Sequence, residues 1–331
     1  MKRFPFSLTL IGAGVLATAV VHADVKTREK TTVKLEGMLG TMANMFGGSA
    51  MKDGVTSTVA VKDNRMLRMT DTTGRIVDLD EQKVYTLDPK KKEYKVQTFA
   101  EIRAEAEKMR ADADKKAQSM TPDQKQQAQD ASQQMEVDVD VKETGQHKTI
   151  LGKDTKEVIV TVTTRHTGQK LEEGGGFVMT TDEWLGPKMP ALDEIVQFEL
   201  KYIKAVSGQA LVLDPAQAAQ LNAMFPQFKT MGEKMQAEGS KLQGTPLETT
   251  LTFESVKSAA EFKQVQQQQQ QQQQSGGGGG IGGMFASKLG PKPGPAEQRS
   301  KVMTTTHAVL SLDTTVTPAD LAIPAGFKEK K

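Results

Sequence analysis

Apolar and polar residues alternate one for one along much of this chain. Val55, Ser57, Val59 and Val61 share one side, Lys62-Asp63-Asn64 turns the chain, and Arg65 to Thr70 runs back. A period of two predicts half-buried antiparallel strands. The pattern continues with a turn at Thr73-Gly74, a strand over Arg75 to Leu79, its partner over Val84 to Leu87, and a further strand over Tyr94 to Val96. It resumes where Val137, Val139 and Val141 alternate with Asp138, Asp140 and Lys142, and again at Val158, Val160 and Val162. After Gly174-Gly175-Gly176 a strand leads to Trp184, and Leu247 to Phe253 and Val302 to Leu312 complete the set.

The period shifts to that of a helix in four places. Thr98 with Glu101 forms a capping box ahead of Ile102, Ala106, Met109 and Ala113, the signature of a helix N-terminus. Thr121-Pro122-Asp123-Gln124 restarts it, so residues 98–135 read as a helical hairpin with little apolar surface to bury. Leu192 to Val206 is apolar enough for a buried helix. Asp214-Pro215-Ala216-Gln217 caps a helix carrying Leu221, Met224, Phe225, Phe228, Met231 and Met235, which Pro226 should kink or break.

Two segments stand apart. Lys2 and Arg3, an apolar run from Leu8 to Val21, and Val21-His22-Ala23 before Asp24 predict a secretory signal peptide over residues 1–23, cleaved after Ala23. The apolar run is shorter than the roughly 20 residues a membrane span needs. Between the last two strands lie Gln266 to Gln274 and Gly276 to Gly280. Ordering about forty residues there would cost roughly 60 kcal/mol of conformational entropy with almost no apolar area to offset it. The stretch from about 258 to 300 is therefore expected to be a disordered, low-complexity insert within one domain spanning 24–331.

Composition narrows the function. Lys and Arg number 43 against 41 Asp and Glu, and loss of Lys2 and Arg3 makes the balance even. A neutral export product lacks the clustered cations that nucleic-acid binding uses, so no nucleic-acid partner is expected. With 0 Cys among 331 residues, disulfides, thiolate metal sites, Cys nucleophiles and a lipid-modified N-terminal Cys are excluded. Export without disulfides fits the periplasm.

Chemistry-bearing motifs are sparse. His147, His166 and His307 are far apart in sequence with no second ligand at helical or hairpin spacing, so they read as surface or strand-edge residues and no metal site is expected. Asp78 with Asp80, and Asp138 with Asp140, share strand faces. They read as solvated carboxylates rather than a glycosidase pair. Ser49-Ala50-Met51-Lys52 has none of the companion motifs of a penicillin-binding protein, and Gly278, Gly280 and Gly283 belong to a glycine run, not a phosphate cradle. No cofactor and no catalytic residue are assigned, and the chain reads as a non-enzyme.

Methionine is the informative bias, at 17 residues. Met38, Met42, Met45 and Phe46 would share a face of a short helix, and Met224, Phe225, Phe228, Met231 and Met235 a face of a later one. Such faces serve core packing, and they also suit acyl-chain binding because thioethers are soft and adaptable. A Met-based copper site ranks third, since clustered His or Cys is missing. Trp184, in Glu183-Trp184-Leu185-Gly186-Pro187, reads as a core anchor or, at a cavity mouth, as a ligand contact.

Ile76-Val77-Asp78-Leu79-Asp80 followed by Val84-Tyr85-Thr86-Leu87-Asp88, Gly152 with Thr155 running into Val160-Thr161, Glu183-Trp184, and Ile323-Pro324-Ala325-Gly326-Phe327-Lys328 carry a resemblance. They resemble an uncharacterised exported bacterial domain family that is similar in turn to the LolA/LolB-type periplasmic lipoprotein-carrier fold. The resemblance implies an α+β fold: a curved antiparallel sheet, an incomplete barrel, with helices covering its concave face. It also implies an apolar cavity for a lipid or an acylated protein, with peripheral membrane contact. The competing expectation is an envelope interaction protein that reaches a protein partner through the helical hairpin and the Gln/Gly tract.

Overall fold

A computed structural model describes residues 24–37, 40, 53–119, 121, 135–207, 226–275 and 297–330. The strands are β1 (Val25–Leu35), β2 (Val55–Lys62), β3 (Arg65–Met69), β4 (Gly74–Asp78), β5 (Lys83–Asp88) and β6 (Glu93–Thr98), then β7 (Met135–Ile150), β8 (Lys153–His166), β9 (Gly176–Gly186), β10 (Thr245–Val256), β11 (Arg299–Asp313) and β12 (Lys328–Glu329). The helices are α1 (Phe99–Ser119), α2 (Leu171–Gly174), α3 (Pro190–Ser207), α4 (Pro226–Ala237) and α5 (Ala259–Ser275). All strands join one sheet in the order β12-β6-β5-β4-β3-β2-β1-β11-β10-β9-β8-β7. Every pairing is antiparallel except that of β12 with β6, and β7 and β12 form the two edges of the open sheet.

Local chemistry sets the turns. Leu151 and Gly152, with φ of 50° and 71°, form the two-residue loop between Ile150 and Lys153, which matches the positive φ that right-twisted hairpins require at both loop positions. Gly175 and Gly176 bring the chain from α2 into β9, and a β-carbon on Gly176 would overlap the Thr164 carbonyl.

Residues opposed across a pairing share a face, so the register sorts the sheet into two surfaces. On one, Val25, Val59, Val61, Met66, Val77 and Val84 pack with Leu247, Phe99 of α1, and Leu192 and Phe198 of α3. On the other, Ala60, Leu67, Ile76, Tyr85 and Leu87 pack with Val316 and Leu321. Those last two belong to a strap that follows β11 and contains a 3-10 turn at Pro318–Leu321. Lys26 pairs with Asp320, and Arg65 Nε donates to the Leu321 carbonyl at 3.1 Å, which fastens the strap. A third cluster, Val141, Val158, Val160 and Leu185, packs with Met235 of α4 and with Leu242.

The helices follow expectation in part. The capping box of α1 forms, with the Thr98 amide donating to Glu101 Oε2 at 2.7 Å and the Glu101 amide to Thr98 Oγ1 at 3.2 Å. Past Ile102 and Arg103 its described side chains are exposed, and the second half of the expected hairpin, 122–134, lies outside the described residues. Helix α3 is not buried throughout: only Leu192 and Phe198 are, because its apolar residues run around more than one side. The described part of α4 begins at Pro226; residues 208–225, which hold the start of the helix expected from Asp214, lie outside the described set, and with them the expected kink or break.

The insert also differs from expectation. Residues 259–275, the Gln run included, form α5. Ser258 and Glu261 make a reciprocal capping box at its start, Gln is a good helix former, and no glycine intervenes before Gly276. The first half of the stretch is thus described as a helix, while 276–296 lies outside the described residues.

Candidate functional site

The helix-bearing face changes character beyond α3. Register places Leu35 opposite Met303, Met303 opposite Phe253, Phe253 opposite Met179, Met179 opposite Val162, and Val162 opposite Val139. Six strands therefore contribute one apolar residue each to a single row, which spans about 24 Å at the usual 4.8 Å between strands. Phe177 adds to it, its ring stacked on Phe253 with centroids 5.4 Å apart. Phe177 and Met179 are 46% and 37% exposed.

The chain neighbours of these residues point the other way, and except for Val178 and Val302 they are polar. Thr161, Thr180, Thr252 and Thr304 form a matching row on the opposite face. The same strands thus carry an apolar surface on one side and hydroxyls on the other. Val196, Leu200 and Ile203 of α3 are also exposed, at 57%, 54% and 41%. They flank Glu199, which reaches Arg68 on the sheet, so the stripe borders the open part of the helix-bearing face.

A polar patch lies between α3 and the apolar row. Glu29 is 6% exposed. It accepts from Thr27 Oγ1 at 2.8 Å, from Arg68 Nη1 at 3.3 Å and from His307 Nε2 at 3.3 Å. An ionised acceptor fixes the histidine proton on Nε2 and leaves Nδ1 as an acceptor. Burial alone would push the Glu29 carboxyl up, but the hydrogen bonds from His307 and Thr27 and the Arg68 charge outweigh it and hold it below the usual range. Glu199 of α3 lies 3.8 Å from Arg68 Nη2, and Arg75 stacks on the Tyr202 ring with its charge 4.5 Å from the centroid. Glu183, opposite Val158 and Thr249 on this face, has its carboxyl pushed up by burial.

The residues singled out from sequence are scattered. Met38, Met42, Met45, Phe46, Met224 and Phe225 lie outside the described residues, as do Ser49 to Lys52 and the glycine run. Phe228 falls in the first turn of α4, where only the backbone is described. Met231 is half-buried on α4, and Met235 packs against the cluster that also receives Val139 and Val162 of the apolar row. Trp184 belongs elsewhere. It pairs with Glu157 and Glu248 on the opposite face, and its ring lies under Lys148 Nζ at 3.9 Å. The strand period puts Glu183, not Trp184, on the helix-bearing side, so Trp184 is neither a core anchor beneath a helix nor part of the same surface as Met235.

Asp78 and His307 depart from the expected solvated carboxylates and surface or strand-edge histidines, whereas Asp80 and Asp140 are exposed. Asp78 is buried and ion-paired with Arg65 rather than solvated. Asp138 is held below the usual range by hydrogen bonds from Arg165 and Lys234. His307 sits in a central strand against a buried carboxylate, a role that spacing along the chain could not reveal; the available signal was a histidine and a glutamate each inside an alternating strand.

Other features offer less. On the opposite face Asp182 Oδ1 is buried without a hydrogen-bond partner, and burial and the charge of Glu157 push its carboxyl up. Among the described residues no group of three or more His, Asp or Glu is arranged to hold a metal ion, and no helix is long and apolar enough to cross a membrane. A cavity of about 350 Å³ lies along β5 and β6, lined by residues such as Thr86, Tyr94 and Lys330, and one of about 650 Å³ lies between Pro187 and Leu242. Neither includes a residue of the apolar row. No known family model and no curated protein matches this chain in sequence.

Proposed function

We propose that this chain is a non-enzymatic binding protein of the periplasm that holds a lipid or an acylated, lipoprotein-like partner on the helix-bearing face of its sheet. The supporting observation is the six-residue apolar row from Leu35 to Val139, backed by threonines on the other side of the same strands. Contiguous exposed apolar surface carries a free-energy cost in water and commonly marks a binding surface. Sheet twist makes an open sheet of this width a curved one, and the reading takes the helix-bearing face as its concave side, the arrangement of the LolA/LolB-type fold. Met235 lies at the Val139 end of the row, and the α3 stripe forms a wall.

The mature protein, purified from its native periplasm, should carry a stoichiometric lipid or acylated adduct in native mass spectrometry with lipid extraction. The double variant Met179→Asp and Phe253→Asp should lose it. A bare mass, under conditions that preserve the ligand of a control lipid carrier, overturns the reading.

A second reading, an envelope interaction protein, draws on the exposed polar surfaces of α1 and α5. Deletion of residues 266–280 separates the two. A lipid carrier keeps its adduct, and a tract-dependent scaffold loses its protein partner.

A further inference from the structure

The polar patch beside the apolar row has an unusual balance of donors and charge. Arg68 is 41% exposed at its side chain and, among the described residues, spends only Nη1 in a hydrogen bond, to Glu29 at 3.3 Å. Its Nη2 stands 3.8 Å from Glu199, beyond hydrogen-bond distance. Donors therefore remain on the guanidinium. Its charge is already balanced, since Arg68 and Arg75 face Glu29 and Glu199 within the same patch. His307 Nε2 is taken up by the same Glu29 carboxylate.

A free carboxylate entering this patch would meet two carboxylates and two guanidiniums whose charges already cancel, so it gains little Coulomb energy and loses its hydration. A neutral carbonyl acceptor uses the spare donors without adding a third negative charge. The apolar row lies further along the same strands: His307 and Met303 share a face of β11 four residues apart, about 13 Å at the usual rise per residue, and Glu29, the partner of Arg68, stands six residues from Leu35 on β1, about 20 Å. Val33 and Leu35 of β1 run alongside, opposite Thr305 and Met303.

We propose that Arg68 is the head-group contact of the acyl site and that the site selects a neutral acyl ester or amide over a free fatty-acid anion. The inference rests on the acyl-binding reading and narrows its ligand class.

The test uses the full mature chain at pH 8 and three twelve-carbon probes, methyl laurate, laurate and dodecane, measured by titration calorimetry. The substitution Arg68→Met should weaken methyl laurate about fivefold or more, the worth of a lost hydrogen bond, and leave dodecane unchanged. Glu199→Gln, which removes one negative charge and keeps the shape, should strengthen laurate. If Arg68→Met leaves methyl laurate unchanged, or weakens laurate more than methyl laurate, the head-group assignment is overturned while the acyl site stands. Failure of both dodecane and methyl laurate to bind the wild-type protein overturns the acyl site and the assignment with it. Circular dichroism of each variant identifies a loss that comes from misfolding, and Arg68→Lys, which keeps a donor and the charge, should then retain methyl laurate binding.

Discussion

Glu29 and His307 stand 278 positions apart in the chain and 3.3 Å apart in the fold, where His307 Nε2 donates to Glu29 Oε2. Closure of β1 against β11 makes this contact, and it places a buried carboxylate under the open part of the helix-bearing face. Because its carboxyl is held below the usual range, Glu29 contributes stability that is present above its unfolded value, near 4.3, and is lost as pH falls through its lower folded value. Glu29→Gln should cost about 1–3 kcal/mol at pH 7, the scale for a broken buried hydrogen-bonded group. The deficit should shrink as pH drops below 4, as read from urea titrations at each pH.

Glu183 behaves in the opposite sense. Burial raises its carboxyl, so the protonated form is the better-tolerated one. Its contribution is fullest below its unfolded value and is lost as pH rises through the folded one. Glu183→Gln should raise the melting temperature at pH 7 and leave it unchanged below about pH 4. A lower melting temperature at neutral pH would count against the burial argument.

The two apolar environments on the helix-bearing face should separate in a stability measurement. Phe198 is 0% exposed on the sheet-facing side of α3, and Phe198→Ala should cost about 3–5 kcal/mol. Phe177 is 46% exposed in the apolar row, and Phe177→Ser should cost under about 1 kcal/mol. Guanidinium denaturation of the two variants gives the comparison. Equal losses would mean that the row is core rather than an open surface.

The C-terminal strap should release in acid. Asp320 is held down at about 2, first by the hydrogen bond from Lys26 and then by those from Thr317. Its contribution is therefore present above the unfolded value near 3.9 and lost between there and about pH 2. Asp320→Asn should lower the melting temperature at pH 6 and make no difference at pH 2. Hydrogen exchange at Leu321 and Phe327 in the variant should rise before that of Val59.

Much of the fold was legible because antiparallel strands with one covered face write their period into the chain. Val55 to Val61, Val84 to Leu87 and Val158 to Val162 are strands for that reason, and Thr98 with Glu101 announced α1 through chemistry confined to four residues. Solvent exposure of α1 followed from its lack of large apolar residues. The helix over the Gln run was not read from the sequence because an entropy argument over the whole insert passed over a local signal, the Ser258–Glu261 cap in front of good helix formers.

Strand content, turn positions, helix starts, charge balance and the absence of thiol chemistry are properties of short windows or of composition, and the amino-acid order suffices for them. The site is not of that kind. Leu35, Met303, Phe253, Met179, Val162 and Val139 form a row only because five registers bring them level, and a shift of one residue in a pairing would turn one strand's contribution to the other face and break the row. For the same reason Trp184 lies away from Met235, and Glu29, Arg68 and His307 come together from β1, β3 and β11. Register is decided by the summed burial and hydrogen bonding of whole strands, a quantity that only the assembled sheet possesses.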